Sequence, residues 1–362
     1  MSLRFGRTAV AATSLALIAS VAPTDAGAAE SAPHLRSRAT AAAHWQASQL
    51  DAGRITTSGF DDWGLTIDSA FAIAADGSQP RLLHRVTNAI ARHYFSSYAV
   101  YKGDVSAGAM AKSLVAAKIL GRHPRHFGGH NVRRQVLRLV APAGAGFEAG
   151  RVRDTGKTDF SNTFSQAYAV LGLARTGGVP RRAVTYLLKQ QCAKGYFRTF
   201  ETAGKTCDRS SSGSDADATS VAIQALVAAR AAGTHIAHHA IHRAAHWLIA
   251  RQHRNGGWGG GSVTRAVNSN STGLAVQALS AVHHRGGQVR AARYVASLQI
   301  TGKRAGHGPA RRDLGAIAYN ADGLDAALRD GVTSATRDQF RRSTAEAIYA
   351  LVPRPLSRLR VR

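Results

Sequence analysis

From Ser214 to Gly233 the chain reads SDADATSVAIQALVAARAAG: small polar and acidic residues, then a run of apolar helix formers from Val221, then glycine. Asp215, Asp217 and Thr219 are residue types that accept hydrogen bonds from the unpaired amides of a first helical turn, and glycine ends helices in the left-handed conformation. The stretch predicts one capped helix. Val221, Ala222, Ile223, Ala225 and Leu226 leave it apolar on nearly all sides, the pattern of a helix buried all round. The same frame returns at Asp159–Gly177, Asn268–Gly286 and Asp313–Gly331, and in shorter form at Asp104–Gly121 and Asp61–Gly77. Starts spaced roughly 43 to 56 residues apart are the signature of a repeat array.

Each interval has room for a second helix, and the periodicity places these at Ala41–Gln49, Arg85–Tyr98, Val132–Val140, Pro180–Gln191, Ile236–Gln252 and Val289–Gln299. In the fifth of them Ile241, Ala244, Ala245 and Leu248 share one face, while His235, His239, His242 and His246 share the opposite one. That is an outer helix with a solvated histidine stripe. A surface metal site on the stripe would want an orienting carboxylate, and none lies between Ile236 and Gln252. Six hairpins whose end repeats stay apolar predict an all-α ring, an α6/α6 toroid with the capped series inside, rather than an open solenoid with polar ends.

The predicted domain runs over 41–352, preceded by a flexible lead at 29–40 and followed by a basic tail at 353–362. Residues 1–28 read as a secretory signal peptide: Arg4 and Arg7, an apolar run from Ala9 to Ala22, then Ala26-Gly27-Ala28 before the expected cleavage. Export to the extracellular side follows as an expectation. It also favours pairing Cys192 with Cys207, the two cysteines of the chain, across the longest hairpin loop. The formal net charge of +26 predicts attraction to anionic cell-wall or membrane polymers. It shows no groove-reading nucleic-acid motif, and generic solubility explains it as well.

The turn chemistry carries a family resemblance. Gln252-His253-Arg254-Asn255-Gly256-Gly257-Trp258 recurs in degraded form as QCAKGYF at Gln191–Phe197 and as QLDAG at Gln49–Gly53. It resembles the QW repeat of squalene cyclases and the related repeat of protein prenyltransferase β subunits, and that resemblance implies an αα barrel with inner-helix N-termini at one rim. Asp215-Ala216-Asp217-Ala218-Thr219-Ser220 further resembles the DxDDT(A/S) sequence with which such cyclases protonate an alkene. On that resemblance Asp217 would be the proton donor and Asp215 its first partner, with Ala218 standing where a third Asp belongs.

A carbocation would then need aromatic faces, for which Trp63, Phe71, Phe164, Tyr168, Trp258 and Tyr319 are the candidates. The competing reading is that Asp215 and Asp217 cap a helix, as Asn268 and Asn270 do at the equivalent positions. None of Glu30, Glu148, Glu201 and Glu346 stands out as an acid, and no cofactor or metal is called for. The favoured reading is therefore a binding or scaffolding toroid taking a small amphipathic or glycan ligand at the rim, through Asp159, Phe164, Tyr168, Trp258, Asn268, Asn270, Asp313 and Tyr319. A reduced terpene-cyclase-like enzyme and a cell-wall polyanion binder are the alternatives.

Overall fold

The computed structural model describes residues 31–209, 213–261 and 264–361, so the signal peptide expected at 1–28 lies outside the described residues. In chain order the α-helices are α1 (Ala32–Ser48), α2 (Trp63–Asp76), α3 (Pro80–Tyr94), α4 (Ala107–Ile119), α5 (Val132–Arg138), α6 (Thr163–Ala174) and α7 (Arg181–Lys189). They continue as α8 (Ala216–Ala231), α9 (His238–Ile249), α10 (Ser269–Ala281), α11 (Gln288–Ser297), α12 (Gly302–Ala305), α13 (Ala321–Asp330) and α14 (Ser334–Leu351). Successive members of α2, α4, α6, α8, α10 and α14 pack on one another and α14 packs back on α2, which closes an inner ring. Helices α1, α3, α5, α7, α9 and α11 form the outer ring. The fold is the α6/α6 toroid that the repeat spacing predicts.

The inner helices are buried almost all round, and their first turns are capped by Asp62, Ser106, Asn162, Asp215 and Asn268 in α2, α4, α6, α8 and α10. Outer helices keep one wet face. In α9, Ile241, Ala244, Ala245 and Leu248 are buried while His239, His242 and His246 are exposed; His235, also exposed, lies just before the helix begins.

The turn motif works as a clamp. Gln252 donates through Nε2 to the carbonyls of Gly256 and Gly287, tying the end of α9 to the start of the next outer helix. Gln191 does the same with Gly195 and Ala240, and Gln299 with Gly315 and Arg38. Gly256 sits at φ +93° under the Arg290 carbonyl, so a Cβ there would collide with backbone. On the inner side a threonine hydroxyl receives the turn's buried amide: Phe197 N donates to Thr219, Trp258 N to Thr272 and Ile317 N to Thr344, each at 2.9–3.0 Å. Cys192 and Cys207 are disulfide-bonded across the loop between α7 and α8.

Three expectations need correcting. The sixth inner helix is α14, not Asp313–Gly331. That interval starts at the end of a 3₁₀ turn, Pro309–Asp313, and holds α13, which carries Asp322, Asp325, Arg329 and Asp330 and is too polar for a position buried on all sides. The lead at 29–40 is helical from Ala32, because Thr40 donates to Asp76 at 2.9 Å and Arg36 to the Asp76 carbonyl, anchoring α1 on the end of α2. The tail is built into the ring: Leu356 and Leu359 are buried, and Arg175 donates to both of their carbonyls.

Candidate functional site

The threonine that holds each turn fixes a register for the inner helices. Two residues after it the side chain points to the ring's centre, and two residues before it lies the rim-side position of the same helix face. In α2 these positions are Gly64 and Asp68 around Thr66; in α8, Asp217 and Val221 around Thr219; in α10, Asn270 and Leu274 around Thr272. In α14 they are Arg342 and Glu346 around Thr344, and in α6, where Gln166 takes the threonine's place, Phe164 and Tyr168. Helix α4 adds Gly108 and Lys112. Of these, Asp68, Gly108, Lys112, Phe164, Tyr168, Val221, Leu274 and Glu346, together with Tyr98 and Phe160, line a cavity of about 460 Å³ at the N-terminal rim.

The far end is shut. Gln224 bonds Gln277 at 3.0 Å, and the tail crosses beneath them, Leu356 N donating to Gln224 and Gln277 to the Arg354 carbonyl.

Charge in the cavity is concentrated in two pairs. Lys112 bonds Asp68 at 2.6 Å and the Gly64 carbonyl at 3.2 Å. Burial pulls the Lys112 ammonium down, but Asp68 with Tyr98 and Tyr168 outweighs it and keeps the ammonium protonated above its usual range. Glu346 accepts from Asn270 Nδ2 at 2.8 Å. Burial and then the charges of Asp68 and Asp217 push the Glu346 carboxyl up to about 7, against the pull of Asn270. Asp217 accepts from Thr264 Oγ1 at 3.1 Å, and its Oδ1 is buried with no hydrogen-bond partner. Burial, and then the neighbouring Asp215, push it to about 7 as well. Two carboxyls thus keep their protons below neutral pH, where each can donate as well as accept.

The other candidates divide cleanly. Phe164 and Tyr168 line the cavity, Asn270 reaches it through Glu346, and Tyr319 lies close enough to Asp217 and Glu346 that their charges, after burial, raise its phenol. The remainder are structural. Asp215 is a cap, its two oxygens taken by Ala218 N at 2.9 Å and Thr199 Oγ1 at 2.7 Å. Asn268 caps α10 through Ser271 N. Asp159 pairs with Arg151 and Arg153 and holds the loop amides of Asp154 and Ser161.

Asp313 lies under Trp45 and Arg337, outside the ring, because the helix it was expected to start is not there. Trp258 is core: its indole donates to the Leu248 carbonyl of α9. Trp63 and Phe71 are likewise buried packing residues.

Glu346, passed over in the sequence, is the acid at the centre, and Asp68 and Lys112 were missed with it. The signal was the threonine register, which the misplaced sixth helix hid. Glu201 is a third overlooked carboxyl, raised to about 7 by burial even though Arg151 faces it at 3.4 Å; its bonds to Arg151 and Tyr186 tie down the disulfide loop.

No family profile matches the chain, and no curated protein sequence does. Solved structures do. A type II terpene cyclase, MstE from Scytonema, superposes with a TM-score of 0.58 at 14% identity, over 89% of this chain and 98% of its own. The cellobiose 2-epimerase from Bacillus thermoamylovorans gives 0.58 at 10% identity over 88% and 98%, and an unsaturated glucuronyl hydrolase specific for heparin gives 0.57 at 11% over 88% and 95%. At such identities the likeness is one of architecture, and on it the chain takes its place among the αα-toroid proteins.

Proposed function

We propose that this protein binds a polyhydroxylated, glycan-type ligand at the N-terminal rim of the toroid, acting outside the cell membrane. The observation that carries the reading is the composition of the cavity. The Asp68–Lys112 and Asn270–Glu346 pairs stand beside the rings of Tyr98, Phe164 and Tyr168. Alternating donors and acceptors next to aromatic faces suit a sugar, whose hydroxyls lie around a ring with apolar C–H faces. Around the mouth, the connections into the inner helices expose Phe60 (79%), Tyr101 (73%), Phe160 (78%) and Phe200 (54%). On the rim, Asp61 pairs with Arg54 and Asp62 with Arg342. Exposed rings beside these paired charges favour an uncharged chain longer than the cavity over an anionic surface.

Titration calorimetry and native mass spectrometry against a panel of neutral oligosaccharides test this. One class should bind and saturate, and Tyr168→Ala and Glu346→Gln should each weaken it about tenfold or more, the loss of one well-placed stacking or hydrogen-bonding group. Absence of binding across the panel, or binding indifferent to both substitutions, would overturn it.

A terpene-cyclase-like activity is the second reading, favoured by the unpartnered Oδ1 of Asp217 at the first turn of α8. A single toroid is no obstacle, since the chain spans 98% of the Scytonema cyclase. The acidity is one: protonating an alkene takes an unusually strong acid, and burial has made Asp217 a weak one. Incubation with squalene and linear prenyl diphosphates decides between them. Conversion by the natural protein and none by Asp217→Asn would put this reading first.

A further inference from the structure

At the end of the toroid opposite the cavity, a groove of about 1040 Å³ runs between the C-terminal tail and the last turns of the inner helices. Its charged lining is almost wholly basic: Arg36, Arg122, Arg354, Arg358 and Arg360, against Asp76. Asp76 is occupied by Arg36 and by Thr40. Arg354 and Arg360 are exposed and meet no carboxylate among the described residues, and Arg358 is held by His283 and the Ser280 carbonyl rather than by an acid.

The backbone that presents these guanidinium groups is fixed. The Arg354 carbonyl accepts from Gln277, Arg358 N and Leu359 N donate to the Pro355 carbonyl, and Val361 N donates to the Ile119 carbonyl. Below them lies Arg175, bonded to the Leu356 and Leu359 carbonyls with no carboxylate pairing it among the described residues. The helix C-termini here carry partial negative charge, but Val361 N takes the Ile119 carbonyl at the end of α4 and Arg358 the Ser280 carbonyl at the end of α10.

We propose that this groove is a binding site for a linear phosphodiester chain without sugar rings or bases in its backbone path, the type of polymer in which phosphates alternate with short polyols. Guanidinium groups match phosphate oxygens bidentately, and a row of them on a fixed backbone selects a polymer over a single ion. The lining contains no phenylalanine, tyrosine or tryptophan; between the arginines lie aliphatic and proline residues, among them Leu83, Leu120, Pro353 and Pro355. Nucleobases and pyranose rings gain much of their affinity from stacking on aromatic faces; this groove offers the single imidazole of His84, whereas the opposite rim exposes Phe60, Tyr101, Phe160 and Phe200.

The test uses the full chain and a defined poly(glycerol phosphate) oligomer, with binding followed by fluorescence anisotropy across a salt series. Arg354→Ser combined with Arg360→Ser should weaken binding about tenfold or more and lower the slope of log affinity against log salt by about 2, one for each phosphate contact removed. Both side chains are exposed, so folding is preserved, which circular dichroism checks. The matched control, Arg134→Ser with Arg181→Ser on exposed outer-helix positions, should leave affinity within about twofold. Equal losses in the two double variants, or no loss in the first, would reduce the attraction to diffuse charge and overturn the site. Tighter binding of a polyuronate or of single-stranded DNA at matched charge would overturn the ligand class.

Discussion

Replacing Glu346 by Gln removes a buried charge without removing its volume, and the structure fixes how the effect must depend on pH. Burial and the charges of Asp68 and Asp217 carry the Glu346 carboxyl from 4.5 to about 7. Ionising it in the folded protein therefore costs on the order of 3 kcal/mol relative to the unfolded chain. The folded protein keeps the proton between those two values while the unfolded chain releases it. Stability then falls as pH rises from about 4.5 to about 7 and levels off above. Glutamine never ionises, and its carbonyl oxygen can still accept from Asn270 Nδ2, which now bonds Glu346 at 2.8 Å.

Parent and variant should be nearly equal in urea unfolding at pH 4.5. At pH 8 the variant should be more stable by up to about 3 kcal/mol, the larger part of that gap opening above pH 5. A gap that stays constant from pH 5 to 8 would mean that the carboxyl is solvated, and the account of Glu346 as a buried acid would fall with it. A gap of the opposite sign would mean that the ionised form is the one the ring stabilises.

Other perturbations test the scaffold. Gly256→Ala forces a Cβ onto the Arg290 carbonyl at φ +93°, whereas Gly59→Ala meets open space at φ +84°. Chemical denaturation should show a loss of about 3 kcal/mol or more for the first and about 1 for the second, the difference measuring the close approach of turn and outer helix. Thr272→Val orphans the buried amide of Trp258 and should cost about 1–3 kcal/mol, with calorimetry as the readout. Cys192→Ser with Cys207→Ser opens the loop closed by the disulfide and should cost about 3 kcal/mol in the chain-entropy account, read from urea midpoints against the oxidised parent.

The ring was legible because its inner helices advertise themselves twice, by an apolar run without a wet face and by a capping residue in front of it. Asp215 and Asn268 sit at the predicted caps, and the caps predicted at Asp61 and Asp104 lie one and two residues early, at Asp62 and Ser106. The histidine stripe of α9 faces solvent as its period requires. The sixth repeat misled because α13 copies the frame: an acidic start at Asp313, helix formers, then Gly331. What tells the two apart is polarity at the interior positions, and α14 disguises itself with Arg337, Arg341 and Arg342 near its start. Those arginines serve Gln49, Asp313 and Asp62, groups remote in sequence, so their purpose is invisible locally.

The same physics explains why the cavity's own chemistry was the hardest part to read. A capping aspartate and a chemically available one occupy neighbouring positions on one helical turn, and only direction separates them. Asp215 turns back on its own helix and spends both oxygens on Ala218 and Thr199. Asp217, two residues on, is rotated by most of a half turn and leaves Oδ1 unbonded. The rule for that direction comes from the outer helices: the glutamine clamp sets the turn, the turn's amide seeks a threonine on the inner helix, and the threonine fixes which residues face the centre. Once Thr344 is seen to receive Ile317 N as Thr219 receives Phe197 N, Glu346 is placed at the centre by the same logic as Asp68. The site is thus specified by a hydrogen bond at the periphery, repeated around the ring, and the residues that line it are those the bond leaves free to vary.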